Sequence, residues 1–152
     1  DEENSYDLSK EKFVWNDELK IQIPKDWKVK KVSEIVDLIS GYAFSSKEYT
    51  EKGKYKLYTI KNVHDGNIVS KVDNYISDIP NSMPNECILH PTDIVMSLTG
   101  NVGRVGLVYE ENALLNQRLL KIVPKSNHIA FIYLLFRSSY MKTLMERLST
   151  GT

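Results

Sequence analysis

The sequence predicts an α+β fold: a central twisted β-sheet, mixed or antiparallel and partly barrel-like, with helices gathered at the C-terminal end. Three observations predict it. Short stretches rich in β-branched and aromatic residues recur between residues 56 and 123, separated by Gly, Pro and Asp-Gly turn signals. From His128 the apolar period becomes helical and holds to Leu148. Finally, 152 residues with 41% apolar and 26% charged content suffice for one hydrophobic core, with strands central and helices outside.

Taken in order, residues 1–20 are acidic, polar and aperiodic and read as a flexible lead-in, with Phe13, Val14 and Trp15 as its apolar exception. Pro24 and Trp27 mark the start of a single folded domain over residues 21–152. Ser33 can cap a short helix over Glu34–Leu38, with Glu34 in the first turn and Gly41 to end it. Residues 45–54 are a polar loop. Lys56–Val63 alternates apolar with polar and reads as a strand, followed by an Asp65-Gly66 turn. Residues 73–92 contain Pro80, Pro84 and Pro91 and accommodate only short elements. Strands follow at Ile94–Leu98, Val105–Tyr109 and Leu119–Val123, the last closed by Pro124. In the helical tail Ile132, Leu135, Phe136, Tyr140, Leu144, Met145 and Leu148 share one face, and Ser138-Ser139 is where it divides into two helices.

Composition excludes several functions. No apolar run approaches the roughly 20 residues of a membrane span, and no secretion signal is present. One cysteine, Cys87, excludes an internal disulfide and suits a reducing compartment. The net charge is zero, but its distribution is uneven. Residues 1–19 hold seven acids against two lysines (−5), residues 20–71 eleven lysines against six acids (+5), residues 72–124 sum to −3 and residues 125–152 to +3. A neutral chain polarised this way can present either a basic face or a mixed solvated surface.

The most specific pattern is Asp93-Ile-Val-Met-Ser-Leu-Thr-Gly-Asn-Val-Gly-Arg-Val-Gly106. It predicts a hairpin whose tip carries small polar side chains and one cation beside backbone stripped of Cβ, suited to close approach of another polymer. A phosphate loop would need Lys-Ser/Thr and a helix after its last glycine, whereas a strand follows here, so nucleotide hydrolysis is excluded. Asn116-Gln117-Arg118 sets three planar, fork-shaped side chains in a row, matching adenine N6/N7 and guanine O6/N7 in the major groove. Such a run is also a common solvated strand edge. Tyr42, Phe44 and Tyr49 surround Ser45-Ser46-Lys47 and could stack on bases or pack in the core. His64, His90 and His128 lack metal-ligand spacing, no serine sits in a nucleophile elbow, and Cys87 reads as a packed thiol. Neither the Asn/Asp-Pro-Pro-Tyr motif of adenine methyltransferases nor an S-adenosylmethionine glycine loop occurs.

In this order the segments resemble the target recognition domain of type I restriction–modification specificity subunits. Phe13-Val-Trp-Asn-Asp-Glu-Leu19 with Ile23-Pro-Lys-Asp-Trp27 resembles its opening block. Val32-Ser-Glu-Ile35, Ser40-Gly-Tyr-Ala-Phe-Ser-Ser-Lys-Glu-Tyr49 and Tyr58-Thr-Ile-Lys-Asn-Val63 resemble the next three. Pro91-Thr-Asp-Ile-Val-Met-Ser-Leu-Thr-Gly100 resembles a later block, with Gly103 and Gly106 in place, and Leu115-Asn-Gln-Arg118 and Leu148-Ser-Thr-Gly-Thr152 fit as well. One departure is Pro91-Thr92, where a glycine usually precedes the aspartate. The family's spacer helix and second recognition domain are absent, which together with the missing initiator Met suggests a fragment of a longer specificity subunit.

The resemblance implies a non-catalytic domain that reads one half of a bipartite site in double-stranded DNA. Partner modification subunits would methylate adenine and restriction subunits would cleave. No cofactor is expected here; S-adenosylmethionine and ATP would sit on the partners. Loop position and side-chain chemistry nominate Lys47, Lys54, Lys61 and Arg104 for backbone positioning, and Tyr49, Asn62, Thr99, Asn101, Gln117 and Arg118 for base contact. Two other readings stay open: the recognition domain of a single-chain restriction–methyltransferase, and a protein-interaction scaffold docking a partner through His128–Leu148.

Overall fold

The computed structural model describes residues 13–150. The described residues form two compact units, one up to Lys31 and one from Val32 onward. In the first, β1 (Phe13–Asn16) and β2 (Ile21–Pro24) form an antiparallel hairpin in register from Phe13 opposite Pro24 to Asn16 opposite Ile21. Asn16 builds the turn: its Oδ1 accepts from Leu19 N at 2.8 Å and its carbonyl from Lys20 N at 2.9 Å. The expected lead-in is therefore a paired ribbon from Phe13 onward, and residues 1–12 lie outside the described residues.

The second unit is α+β with its helices last. Its strands divide among three sheets, and no sheet of the described residues closes into a barrel. The expected mixed and antiparallel β-structure with C-terminal helices is present, its strands, most of them two to four residues long, shared among several sheets. One sheet is fully antiparallel. It sets β11 (Val105–Leu107), β10 (Ile94–Ser97), β13 (Leu119–Pro124) and β3 (Val36–Ser40) side by side in that order. The other large sheet runs β4 (Tyr49–Thr50), β8 (Tyr75–Ile76), β5 (Tyr55–Tyr58), β12 (Ala113–Leu115), β9 (Ile88–Leu89), with β5 and β12 parallel. A small ribbon pairs β6 (Val63–His64) with β7 (Asn67–Ile68) across the Asp65-Gly66 turn.

Three elements differ from expectation. The helix expected over Glu34–Leu38 stops after one turn, α1 (Val32–Ile35), and the chain continues as β3, paired from Val36 opposite Pro124 to Ser40 opposite Leu120. A helix that short has a costly nucleus and little propagation, whereas the free edge of β13 offers five paired residues. The strand expected over Lys56–Val63 ends at Tyr58 because residues 59–62 turn. Ala113–Leu115, a three-residue run with no alternation, forms the buried strand β12.

At its centre, in β10, the antiparallel sheet is buried on both faces. In β10, Val95 points into a core with Leu57, Tyr58, Leu89, Leu114 and Leu119. Its neighbours Ile94 and Met96 point the other way, to Val36, Val105 and Ile122 beneath Ile132, Phe136 and Met141. The latter three come from α2 (Ile129–Arg137) and α3 (Ser139–Thr150). The tail divides at Ser138, whose N and Oγ both donate to Leu135 O, at 3.1 and 2.7 Å. That extended residue resets the helical phase, so Met141 is buried while Tyr140 and Leu148, expected on the apolar stripe, are 70% and 66% exposed. Among the described residues no helix is long and apolar enough to cross a membrane.

Asp93 fastens the start of β10. Its Oδ2 accepts from His90 N at 2.8 Å and lies 2.7 Å from Nζ of Lys121, a nearly buried lysine of β13. The turn before it is strained: Thr92 adopts φ 75°, in the left-handed region that β-branched residues avoid. This is the position, immediately before the aspartate, at which the resembled family usually carries glycine. Thr92→Gly is expected to stabilise the protein by about 1 kcal/mol, read as a higher urea midpoint at unchanged slope. A lower midpoint would show that the threonine side chain contributes more than the strain costs.

Candidate nucleic-acid interface

Three loops meet where β5, β10 and β12 end. The first, residues 59–62, is shaped from within by Asn62. Its Oδ1 accepts from Thr59 N (3.0 Å) and Thr59 Oγ1 (3.2 Å), and its Nδ2 donates to Val69 O (2.8 Å) and Lys71 O (2.9 Å). The side chain is 3% exposed, and its four bonds exhaust its capacity. Asn62 therefore supports the loop from below and has nothing left to offer a base, contrary to expectation. Lys61 is presented outward, its Nζ 2.7 Å from Asp73 Oδ2.

The second loop is the tip of the β10–β11 hairpin, which the glycine pattern predicts correctly. Gly100 (φ 72°) and Gly103 (φ 77°) supply the left-handed turns. Ser97, buried at the end of β10, ties the loop across: its Oγ donates to Asn101 O at 2.6 Å and accepts from Arg104 N at 3.2 Å, while its backbone N donates to Arg104 O at 3.0 Å. The hydrogen-bond network orients the Asn101 amide with Oδ1 accepting from Arg104 Nη1 (3.2 Å) and Nη2 (2.6 Å). The guanidinium is thus held over the tip, with less side-chain entropy to lose when a ligand arrives.

The third loop, Asn116-Gln117-Arg118, joins β12 to β13. Asn116 is buried, donates from N to Tyr58 O at 3.3 Å and accepts Arg118 N on Oδ1 at 3.4 Å. Leu98 N donates to Arg118 O at 3.0 Å, which binds this loop to the hairpin. Gln117 and Arg118 are left exposed. Gly41, expected to end a helix, instead lets β3 approach this loop: a Cβ there would lie 2.0 Å from Asn116 O.

Between the loops lie two adjoining clefts. One, of about 340 Å³, is lined by Thr99, Gly100, Asn101 and Arg104 with His64 and Ser97. The other, of about 320 Å³, is lined by Tyr49, Thr59, Asp73, Asn74, Gln117 and Arg118 over Asn116. Ile60 and Lys61 line both and form the ridge between them. Seven nominated residues are so brought to one face: Tyr49, Lys61, Thr99, Asn101, Arg104, Gln117 and Arg118. Lys47 and Lys54 line neither cleft. Lys47 lies on a 3₁₀ turn (Ser46–Glu48) boxed by Ser45 and Glu48, and Lys54 lies 5.0 Å from the centroid of the Tyr55 ring.

The lining carries Lys61, Arg104 and Arg118 against the single carboxylate Asp73, so an overall neutral chain presents a locally cationic face. Lys61 hydrogen-bonds the Asp73 carboxylate; this holds the Asp73 pKa below the usual carboxylate range and raises that of Lys61, keeping both charged at neutral pH. Sequence reasoning missed Ser97, Thr59, Asp73 and Asn74 as members of the face. For Ser97 a signal existed, a hydroxyl ending an apolar strand just before a glycine turn. Asp73 and Asn74 carry no such signal, since only tertiary pairing brings residues 73–74 beside 116–118. Chemically, the face offers planar donors, hydroxyls and cations around two shallow grooves, which suits hydrogen bonding to base edges and phosphates.

The family described as "Type I restriction modification DNA specificity domain" matches residues 24–152. The chain is 34% identical over 140 residues to the type I restriction enzyme MjaVIII specificity subunit of Methanocaldococcus jannaschii, covering 86% of this chain and 32% of that protein. In structure it is similar to the HsdS subunit from Thermoanaerobacter tengcongensis, with a TM-score of 0.60 at 17% identity over 81% of this chain and 29% of that one. It is similar also to a chain solved to explain complex assembly and conformational transition of the type I R-M system, with a TM-score of 0.61 at 19% identity over 84% of this chain and 30% of the other. The chain thus spans about a third of the length of these relatives, and the structural likeness establishes the fold.

Proposed function

Since the chain belongs to the type I restriction modification DNA specificity domain family, we propose that it is a target recognition domain reading one half of a bipartite site in double-stranded DNA. The carrying observation is the pair of clefts joined at Lys61, which collects planar and cationic side chains from three loops on one face. Lys61 and Arg104 position the phosphate backbone, with Lys47 and Lys54 as peripheral contacts. Tyr49, Thr99, Asn101, Gln117 and Arg118 reach base edges. The domain does no chemistry itself. It acts in the cytoplasm by directing a modification (methyltransferase) subunit and a restriction subunit, and those subunits hold S-adenosylmethionine and ATP.

Gln117 and Arg118 are the sharpest test, because both are exposed on a loop whose backbone is pinned by Asn116. Gln117→Ala and Arg118→Ala are each expected to relax discrimination at one base pair by roughly 1–3 kcal/mol, leaving other positions of the site unchanged. Methylation profiling of a host carrying each variant reads this directly. An unaltered target in both variants would remove the loop from the reading surface.

A further inference from the structure

Asp73 is, among the described residues, the one carboxylate lining either cleft. A negative charge on a face that approaches a polyanion is unfavourable unless it is neutralised and used. Lys61 neutralises it at 2.7 Å. The pair contributes little to the fold, since the two side chains are 77% and 65% exposed and such ion pairs are weak in water. Stability therefore does not account for an acid at this place. It lines the same cleft as Gln117 and Arg118, the loop proposed to read bases.

A carboxylate can only accept hydrogen bonds, and the major groove presents one class of strong donor to it, the exocyclic amino groups of cytosine (N4) and adenine (N6). From the place of Asp73 in the cleft lined by Gln117 and Arg118, and resting on the DNA-recognition reading above, we propose that Asp73, its charge balanced by Lys61, accepts from an exocyclic amino group and so determines specificity at one base pair. Every Watson–Crick pair carries one such amino group, so the carboxylate selects its strand: it accepts cytosine or adenine at that position and disfavours guanine or thymine, whose O6 or O4 would face it.

The test is selection from randomised duplexes by the protein in its native complex, comparing wild type with Asp73→Ala and Asp73→Asn. Wild type is expected to enrich a motif containing one cytosine or adenine whose preference falls roughly tenfold to a hundredfold in Asp73→Ala. The melting temperature should not change. A second arm replaces that base with its analogue lacking the amino group, pyrimidin-2-one for cytosine or purine for adenine. Wild type should lose affinity for the analogue duplex and Asp73→Ala should not, and the analogue that acts identifies the base. An unchanged motif overturns the proposal. So does tighter binding of Asp73→Ala to every sequence with a steeper salt dependence, which would make Asp73 only a mask over Lys61. A wild type that enriches no motif defeats the recognition reading itself, and the inference falls with it.

Discussion

Gly41→Ala is expected to destabilise the protein by about 3 kcal/mol or more. The added methyl would lie 2.0 Å from Asn116 O, 2.4 Å from Asn116 C and 2.8 Å from Leu115 O, all backbone atoms. None is the free end of a flexible side chain, so relief requires moving main chain. That main chain is tethered on several sides: Asn116 O accepts from Leu119 N at 2.9 Å, Gly41 N donates to Leu119 O at 3.0 Å, and Tyr42 N donates to Leu115 O at 2.9 Å. Urea titration should show a lower midpoint with little change in slope. The substitution also bears on function, because the displaced backbone carries Gln117 and Arg118. Where the variant still folds, its target discrimination should weaken although no reading side chain has changed. A midpoint equal to wild type would mean that β3 does not approach the 116–118 loop this closely.

The largest effect on binding is expected from reversing charge at the centre of the face. Lys61→Glu with Arg104→Glu replaces two of the three cations lining the clefts, and sets one of the new carboxylates beside Asp73. Phosphate contacts dominate affinity for DNA of any sequence and act through counterion release. The double variant should therefore lose affinity on the order of a hundredfold near physiological salt, with a salt slope flattened by about 1.8 for two lost contacts. Lys61 and Arg104 are exposed or half-exposed, so the fold should persist. The Asn101–Arg104 contact holds the guanidinium in place, so a phosphate contact by Arg104 would cost less side-chain entropy than one by a mobile surface lysine.

The hairpin of residues 93–106 was legible in the sequence because its determinants are local: a continuous apolar run through Ile94, Val95 and Met96, then glycines at two left-handed turns. The division of the C-terminal tail was legible for the same reason, at Ser138-Ser139. Val36–Ser40 was not, since one amphipathic run fits a short helix or an edge strand and only the exposed edge of β13 decides between them. Asn62 shows where reading a site from side-chain type fails. An asparagine in a turn resembles a base reader until its partners are known, and here Thr59, Val69 and Lys71 take all its bonds. Asp73 shows the converse. Nothing about an acid forty-odd positions from Gln117 marks it as a neighbour; strand pairing of β5 with both β8 and β12 brings the two loops together.

The proposed DNA path crosses the two clefts joined at Lys61. Its most direct test is a salt titration of DNA affinity for Lys61→Glu/Arg104→Glu against Lys47→Glu/Lys54→Glu, in the protein assembled with its partner subunits. Both pairs remove two lysine or arginine charges, so net charge is matched and only position differs. That path predicts the hundredfold loss and flattened slope for the cleft pair, and at most a few-fold loss for Lys47 and Lys54, which line neither cleft. Equal losses from the two pairs, or a larger loss from Lys47 and Lys54, would contradict it and move the DNA to another face.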